Sequence, residues 1–396
     1  MTTRRQFLAL TATGLAAPAL AQKSVDLGLA GGAPTRALTR DFPQKGEMIL
    51  QRSNPPLLET PFDVFKTGTI TPNDRFFVRW HYPFPTDIDP RRHRVAVTGH
   101  VARPLSLSLA AIARLPRIRY AAVNQCAGNG RALFSPRVAG AGWANGAMGN
   151  AVWEGVRLKD VLDLAGVKPG AVCVRVSGLD APTAEGAPDF AKSLAIDHAR
   201  DGEVMLAFAM NGVALPLLNG FPLRLVVPGW YSTYWVKMLD SIEVLDRPDD
   251  GYWMTRAYLA PATPFADVAP GTAGFARVPV AAMSPRAFIT NIAAGARLPR
   301  RSLHPVQGLA MGGDSGVRGV ELSGDGGRSW APAQLGPDEG RYGFRRFMGA
   351  VAAAPGSARL MARATNMAGV SQPMRQNWNP SGYNRAGVEA VAVEII

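Results

Sequence analysis

Only two cysteines, Cys126 and Cys173, occur in 396 residues, too few to build a disulfide framework. No Cys-x-x-Cys-His run is present, so no covalently attached c-type haem is encoded in the chain. No Gly-x-Gly-x-x-Gly unit follows a strand pattern and opens a helix, which leaves dinucleotide binding without support. Acidic residues are also in deficit: 30 Asp and Glu against 43 Lys and Arg leave a net charge of +13. Such a surplus suits nucleic acid, membrane lipid, an anionic substrate or an acidic partner. The arginines are scattered, with no long basic run and no basic amphipathic helix, which disfavours the first two. No internal repeat or low-complexity segment stands out.

What is present begins with Thr3-Arg4-Arg5-Gln6-Phe7-Leu8, followed by a small, apolar run over residues 9–20 that ends Ala19-Leu20-Ala21. A twin arginine, a short apolar core and an Ala-x-Ala site together describe a Tat-type export leader over residues 1–21. The run is too short and alanine-rich for a membrane span. The Tat route carries folded proteins, commonly with a cofactor already inserted, so the expectation is a periplasmic protein holding a cofactor.

Residues 22–45 read as an arm wrapping the surface, and residues 57–64, interrupted by Pro61, as loops. Residues 75–81 read as an aromatic strand in which Phe77, Arg79 and His81 share one face, because side chains alternate. Short helices are expected over residues 108–114, with Ser108 as N-cap, and over 158–165, stopped by Gly166. Strands are expected over 120–123, 151–153, 171–176, 204–210 with an Asn211-Gly212 turn, and 221–228. A Pro, Ala and Gly-rich linker precedes regularly spaced short strands from residue 286 onward, the pattern of an immunoglobulin-like sandwich. That second unit carries no cluster of titratable residues suited to chemistry, so its expected work is packing or assembly.

The stretch around which the chain is organised is Val123-Asn124-Gln125-Cys126-Ala127-Gly128-Asn129-Gly130-Arg131. It places a thiol just after a buried strand, ahead of two glycines that allow a tight turn and a fixed positive charge. Cys126 is either a metal ligand or nucleophile, or a buried structural cysteine before a turn. Arg79 between two aromatics marks either a solvated face or an anion site. Arg224 interrupts an apolar run and requires a partner, a carboxylate or a bound phosphate. Cys173, in an alternating strand, reads as a core residue.

Together these landmarks resemble the sulfite oxidase family of molybdenum enzymes over nearly the whole chain after the leader. The resemblance is carried by Phe77-Val78-Arg79-Trp80-His81, by Cys126 to Arg131, and by Trp143 with Gly146-Ala147. Gly178-Leu179-Asp180, Asn219-Gly220-Phe221-Pro222-Leu223-Arg224, Pro228-Gly229 running on to Val236-Lys237, and Asp325-Gly326-Gly327-Arg328-Ser329-Trp330 complete it. It implies an α+β fold, with a molybdopterin-binding catalytic domain over residues 46–265, a linker over 266–285 and an immunoglobulin-like dimerisation domain over 286–396.

The resemblance also implies roles. Cys126 is the thiolate on molybdenum, with molybdopterin as cofactor and no haem in this chain. Phe77, Val78, Arg79, Trp80 and His81 hold the pterin, joined by Asp180, Asn219, Arg224, Trp235, Val236 and Lys237. Arg79 and Arg131 face an oxyanion substrate, Trp143 walls the pocket, and Tyr258 matches the family's active-site tyrosine. Asn219 departs from the histidine of animal-type members, and Gly130 replaces the first of a pair of arginines. The implied reaction is oxidation of sulfite, with electrons leaving to a periplasmic cytochrome c and the enzyme working as a homodimer without nucleic acid or membrane span. A sulfane dehydrogenase subunit on the same scaffold, or a non-catalytic β-sandwich binding protein, are the alternatives; the run from Pro228 to Trp235 is closer to sulfite dehydrogenases.

Overall fold

The computed structural model of the protein describes residues 23–29 and 34–396. The leader expected over residues 1–21 lies outside the described residues. The strand Arg117–Gln125 alternates between exposed and half-buried over its first four residues and is wholly buried over its last five, so it runs from the surface into the core. It pairs antiparallel along its whole length with Met148–Arg157, from Arg117 opposite Val156 to Gln125 opposite Met148. Cys126 therefore sits one residue beyond the end of a long ladder. On the far edge of Met148–Arg157 lies Met205–Met210. That strand turns through Asn211 (φ 53°) and Gly212 (φ 81°) into Val213–Ala214, the positive-φ pair that a two-residue hairpin demands. Arg224–Val226 joins the sheet with Arg224 opposite Ala207.

A second five-stranded sheet runs in the order Ala191–Ala195, Cys173–Gly178, Leu239–Leu245, Arg94–Gly99, Leu105–Ser108. The helix Leu158–Ala165 turns one face into the main core, because Leu158, Val161, Leu162 and Ala165 fall on that face and are all buried. Gly166 at φ 69° ends it in the left-handed conformation. The Ser108 hydroxyl accepts from the Ala111 amide at 3.1 Å and caps Leu109–Ile112. Among the described residues the α-helices are four and short, so strands dominate the α+β fold. Cys173 is buried, its thiol donating to the Arg247 carbonyl at 3.3 Å.

Three expectations are corrected. The arm contributes two paired strands, Ser24–Asp26 and Thr35–Thr39, to a five-stranded sheet with Met48–Arg52, Leu57–Glu59 and Val78–Arg79. Residues 57–59 are a fully buried strand, because Pro61 lies beyond its end and starts the 3-10 turn Phe62–Lys66. The aromatic strand shrinks to Val78–Arg79, preceded by the 3-10 turn Asn73–Arg75. Its side chains alternate even so. Phe77, Arg79 and His81 line one cavity, while Val78 and Trp80 enter a small separate core with Met48, Leu58, Leu218 and Met238.

Residues 286 onward form two sheets that share one core running from Ala287 to Ile395. One is ordered Arg286–Ile289, His304–Met311, Arg345–Val351, Gln334–Leu335; the other Ala296–Leu298, Ala390–Ile395, Gly356–Asn366, Val317–Ser323, Ala331–Pro332. The Pro-rich stretch before them is more than a connector. Leu259–Pro261 pairs with Arg277–Pro279, and Tyr231 N–H to Ala281 and Met283 N–H to Gly229 bind it to the rest at 2.9 and 2.8 Å. The packing of Leu162, fully buried, gives a direct test. Leu162→Ala should lower unfolding free energy by about 2–5 kcal/mol in a urea titration, and a cost near zero would mean that this helix face is not packed as described.

Candidate active site

Three backbone hydrogen bonds zip two limbs together beyond the ladder. Cys126 N–H donates to Ala147 (2.9 Å), Gly130 N–H to Ala144 (2.6 Å) and Ala132 N–H to Trp143 (3.0 Å). The limb bearing the thiol and the limb bearing Trp143 are thus one unit. The Arg131 guanidinium folds back across it. A Cβ on Gly128 would lie 2.7 Å from the guanidinium carbon, and one on Gly140 2.6 Å from Nη1. A side chain at either place would displace the guanidinium, and Gly140 also adopts φ 116°, a conformation that favours glycine. Arg131 donates from Nε to the Gly382 carbonyl at 3.2 Å and from Nη2 to the Ser381 carbonyl at 3.3 Å, two of its five N–H donors, and lies 4.9 Å from the Tyr383 ring centre.

Cys126 opens inward onto a cavity shared with Phe77, Arg79, His81, Asn124, Asn219, Arg224, Thr233, Lys237 and Tyr258. Arg79 Nη1, His81 Nδ1, Asn124 Nδ2, Arg224 Nε and Thr233 Oγ1 are buried there without a hydrogen-bond partner. Buried orphan donors cost about 1–3 kcal/mol each, so five around one cavity mark a place built for a polar, anionic occupant. The soft sulfur of Cys126 beside these donors suits a metal carried on an anionic organic cofactor.

Arg224 stands between Trp153 and Trp235, 4.9 and 5.6 Å from their ring centres, and donates to the Asn219 carbonyl at 2.8 Å and the Trp235 carbonyl at 3.3 Å. Burial pulls its guanidinium down to about 9. The Lys237 ammonium rests 4.2 Å from the Trp80 ring centre, and burial lowers its pKa against the pull of buried Asp180. An anionic cavity occupant would oppose both shifts. Asp180 does not line the cavity; it acts on Lys237. Asn219 lines it, but its side chain is committed elsewhere: Oδ1 accepts from buried Lys45 at 2.6 Å and Nδ2 donates to Phe77 at 3.2 Å. Trp235 and Val236 are buried beside the strand Arg224–Val226, receiving Arg224 and the Leu225 amide on their carbonyls, and neither lines the cavity.

On its outer side Cys126 meets a cleft of about 910 Å³. Arg79 and Tyr258 border both spaces. Arg36, Arg52, Arg131, Arg137, Arg256 and Arg277 join Arg79 along the cleft, no carboxylate does among the described residues, and Trp143 forms part of the wall. Tyr258 adopts φ 55°, the left-handed region, and its hydroxyl is 2.5 Å from His81 Nε2. Burial raises the phenol pKa. Burial, then Arg79, Lys237 and Lys192, hold that of His81 well below its usual value. The imidazole is therefore held neutral, and a single proton lies between Tyr258 Oη and His81 Nε2.

The second unit contributes more than packing, which corrects the expectation for it. Pro380, Ser381 and Tyr383 line the cleft, Asn384 N–H donates to Ala127 at 3.0 Å, and the Tyr383 ring stacks on Tyr258 with 5.4 Å between centres. The available signal was length: residues 367–389 connect two sandwich strands through far more chain than such a turn needs, and long loops in compact domains carry function. Lys45 and the outer arginines were missed as well, being scattered one by one along the sequence.

Residues 81–253 match the oxidoreductase molybdopterin binding domain family. The chain is 30% identical over 316 residues to the sulfite oxidase of Arabidopsis thaliana, covering 76% of this chain and 79% of the plant protein. It is 35% identical over 291 residues to the mitochondrial sulfite oxidase of Mus musculus, covering 71% of this chain but only 52% of that longer protein. Among solved structures, the sulfane dehydrogenase SoxCD from Paracoccus pantotrophus superposes with a TM-score of 0.73 at 26% identity, over 86% of this chain and 84% of that one. With a buried thiol facing orphaned cavity donors, the chain belongs to the sulfite oxidase family of oxidoreductases, and its cofactor is molybdenum-molybdopterin.

Proposed function

We propose that the protein is exported to the periplasm by its twin-arginine leader and there oxidises sulfite to sulfate, passing electrons one at a time to an external cytochrome c. The observation that carries this reading is the outer cleft, where seven arginines and no carboxylate converge on the buried thiol. When bound, the cofactor supplies a two-electron couple and oxygen-atom transfer. Overall, sulfite and water give sulfate, two protons and two electrons.

The chain's own part in that chemistry follows from its geometry. Cys126 is the protein ligand to the metal. Arg224 and Lys237, both drawn down by burial, meet the anionic end of the pterin cofactor, and the segment from Phe77 to His81 grips it, Val78 and Trp80 anchoring that segment in the small core. Arg79 and Arg131 hold sulfite oxygens through the planar donor fork of each guanidinium. Trp143 limits water at the reacting end. Tyr258, its proton held between its own oxygen and His81 Nε2, orients a hydrogen bond at the mouth of the inner cavity.

In this reading residues 46–265 are the catalytic domain and 266–285 the connection. Residues 286–396 are an immunoglobulin-like domain that makes a homodimer while lending Tyr383 to the site. A second reading, a sulfane dehydrogenase acting on a carrier-bound sulfane, is favoured by the likeness to SoxCD. Against it stands the run Pro228-Gly229-Trp230-Tyr231-Ser232-Thr233-Tyr234-Trp235, closer to sulfite dehydrogenases.

Purified protein with a full complement of molybdenum should reduce cytochrome c when given free sulfite. Molybdenum-loaded protein inert towards sulfite but active on a carrier-bound sulfane would replace the first reading with the second. Cys126→Ser should abolish turnover while circular dichroism shows an intact fold, and retained activity would remove Cys126 from the metal. Arg131→Gln should raise the apparent sulfite KM about tenfold or more, the scale of a lost charge-assisted hydrogen bond, with molybdenum content near wild type. An unchanged KM would place Arg131 outside the substrate pocket.

A further inference from the structure

Glu59 is the last residue of a buried strand and is 1% exposed. Its Oε1 accepts from Gly146 N–H at 2.8 Å. Its Oε2 accepts from Gln51 Nε2 at 2.7 Å and from Ala144 N–H at 3.3 Å. Gly146 and Ala144 both belong to the limb that carries Trp143. Gln51 Nε2 reaches the same limb at the Gly142 carbonyl, 3.3 Å away. Contact is so close that a Cβ on Gly146 would fall 2.7 Å from Glu59 Cγ and 2.0 Å from the Thr60 carbonyl oxygen. Nothing in the proposed chemistry uses this carboxyl.

We propose that Glu59 is a positioning residue for the reaction: its ionised carboxylate fixes the Trp143 limb and, through the three-bond zip, the thiol limb with Arg131. Three N–H donors converge on its two oxygens, an arrangement that satisfies a carboxylate and sets a protonated carboxyl against a donor. Burial raises the group to about 7 against those hydrogen bonds and the charge of Arg36. Arg36, on the strand Thr35–Thr39, is the charged group acting on it; Gln51 and the backbone of residues 142–146 are neutral. Both protonation states are therefore within reach near neutral pH.

The sign separates positioning from simple support. A folded-state value above the ordinary carboxyl range means that stability linked to Glu59 is greatest at low pH and is lost as pH rises towards about 7. Order in the Trp143 limb runs the other way, gained as the carboxylate forms. A purely structural glutamate would move both in the same direction.

The substrate-affinity part of the test rests on the sulfite reading, whereas the exchange part does not. Amide hydrogen exchange of the holoenzyme at Ala144 and Gly146, corrected for intrinsic rates, should show protection rising about tenfold from about pH 5.5 to 8.5 in wild type, the scale of one charge-assisted hydrogen bond. Glu59→Gln should stay at the low level throughout. Near pH 8 its sulfite KM should be about tenfold above wild type with kcat within about twofold, the two enzymes converging at acid pH; protonation of sulfite itself cancels in the ratio. Wild-type protection that is flat with pH, or an unchanged KM in the variant, would overturn the role. Should Glu59→Gln fail to fold, the wild-type pH series decides. Should wild type leave sulfite unoxidised, that reading of function fails and the exchange series still decides the place of Glu59.

Discussion

The dependence that governs the rest of the structure is electrostatic: cationic groups are held out of water around one buried thiol. Arg224 has two carbonyl partners, two indole faces and an orphaned Nε, and no carboxylate among its hydrogen bonds. Lys237 has an indole face and a buried aspartate. Burying charge without full compensation is expensive, and both pKa values fall for that reason. An anionic cofactor changes the sign of the problem, since the same groups then meet charge and hydrogen-bond acceptors. The surrounding fold holds these cations against aromatic faces. Trp80, Trp153 and Trp235 supply the rigid faces, and all are fully or almost fully buried.

Placement of the thiol follows from a simpler device. A nine-residue strand buried over its last five positions delivers Cys126 to the core edge, and its partner strand begins at Met148, directly opposite Gln125. The chain between the two must leave and return at the same point. Its neck is closed by the Cys126–Ala147 bond, and glycines clear the path for Arg131. The rigidity of the ladder is thereby passed to a loop that would otherwise be free to move.

Much of this was legible in the chain because local rules were obeyed. The four apolar positions of Leu158–Ala165 share one face, Ser108 caps, Asn211-Gly212 turns, and residues 77, 79 and 81 point one way even though only Val78–Arg79 pairs as a strand. What stayed hidden was set by distant contacts. Leu57–Glu59 looked like loop because Pro61 follows closely, yet its three residues are buried in a sheet that includes the arm. Asn219 lines the cavity, but which way its amide turns depends on Lys45, 174 residues earlier. The His81–Tyr258 bond links residues 177 apart, beyond any periodicity. The cleft arginines are spread from Arg36 to Arg277 and become a field only once folded.

The two spaces that meet at Cys126 differ in what they require of the fold. Among the described residues, every one lining the inner cavity lies in the span from Phe77 to Tyr258, so the cavity is built within the first unit. The outer cleft is not: it needs Arg36 from the arm and Pro380, Ser381 and Tyr383 from the far end of the chain. Arg131 belongs to the thiol loop by sequence, but its guanidinium is held by the carbonyls of Ser381 and Gly382. In the proposed reading the cofactor is held by one unit and the substrate by both. The second unit then sets the position of a substrate-binding charge as well as making an assembly surface. On that reading a change at the junction of the two units reaches the substrate side first, because the Ser381 and Gly382 carbonyls hold Arg131 while no described residue of the second unit lines the inner cavity.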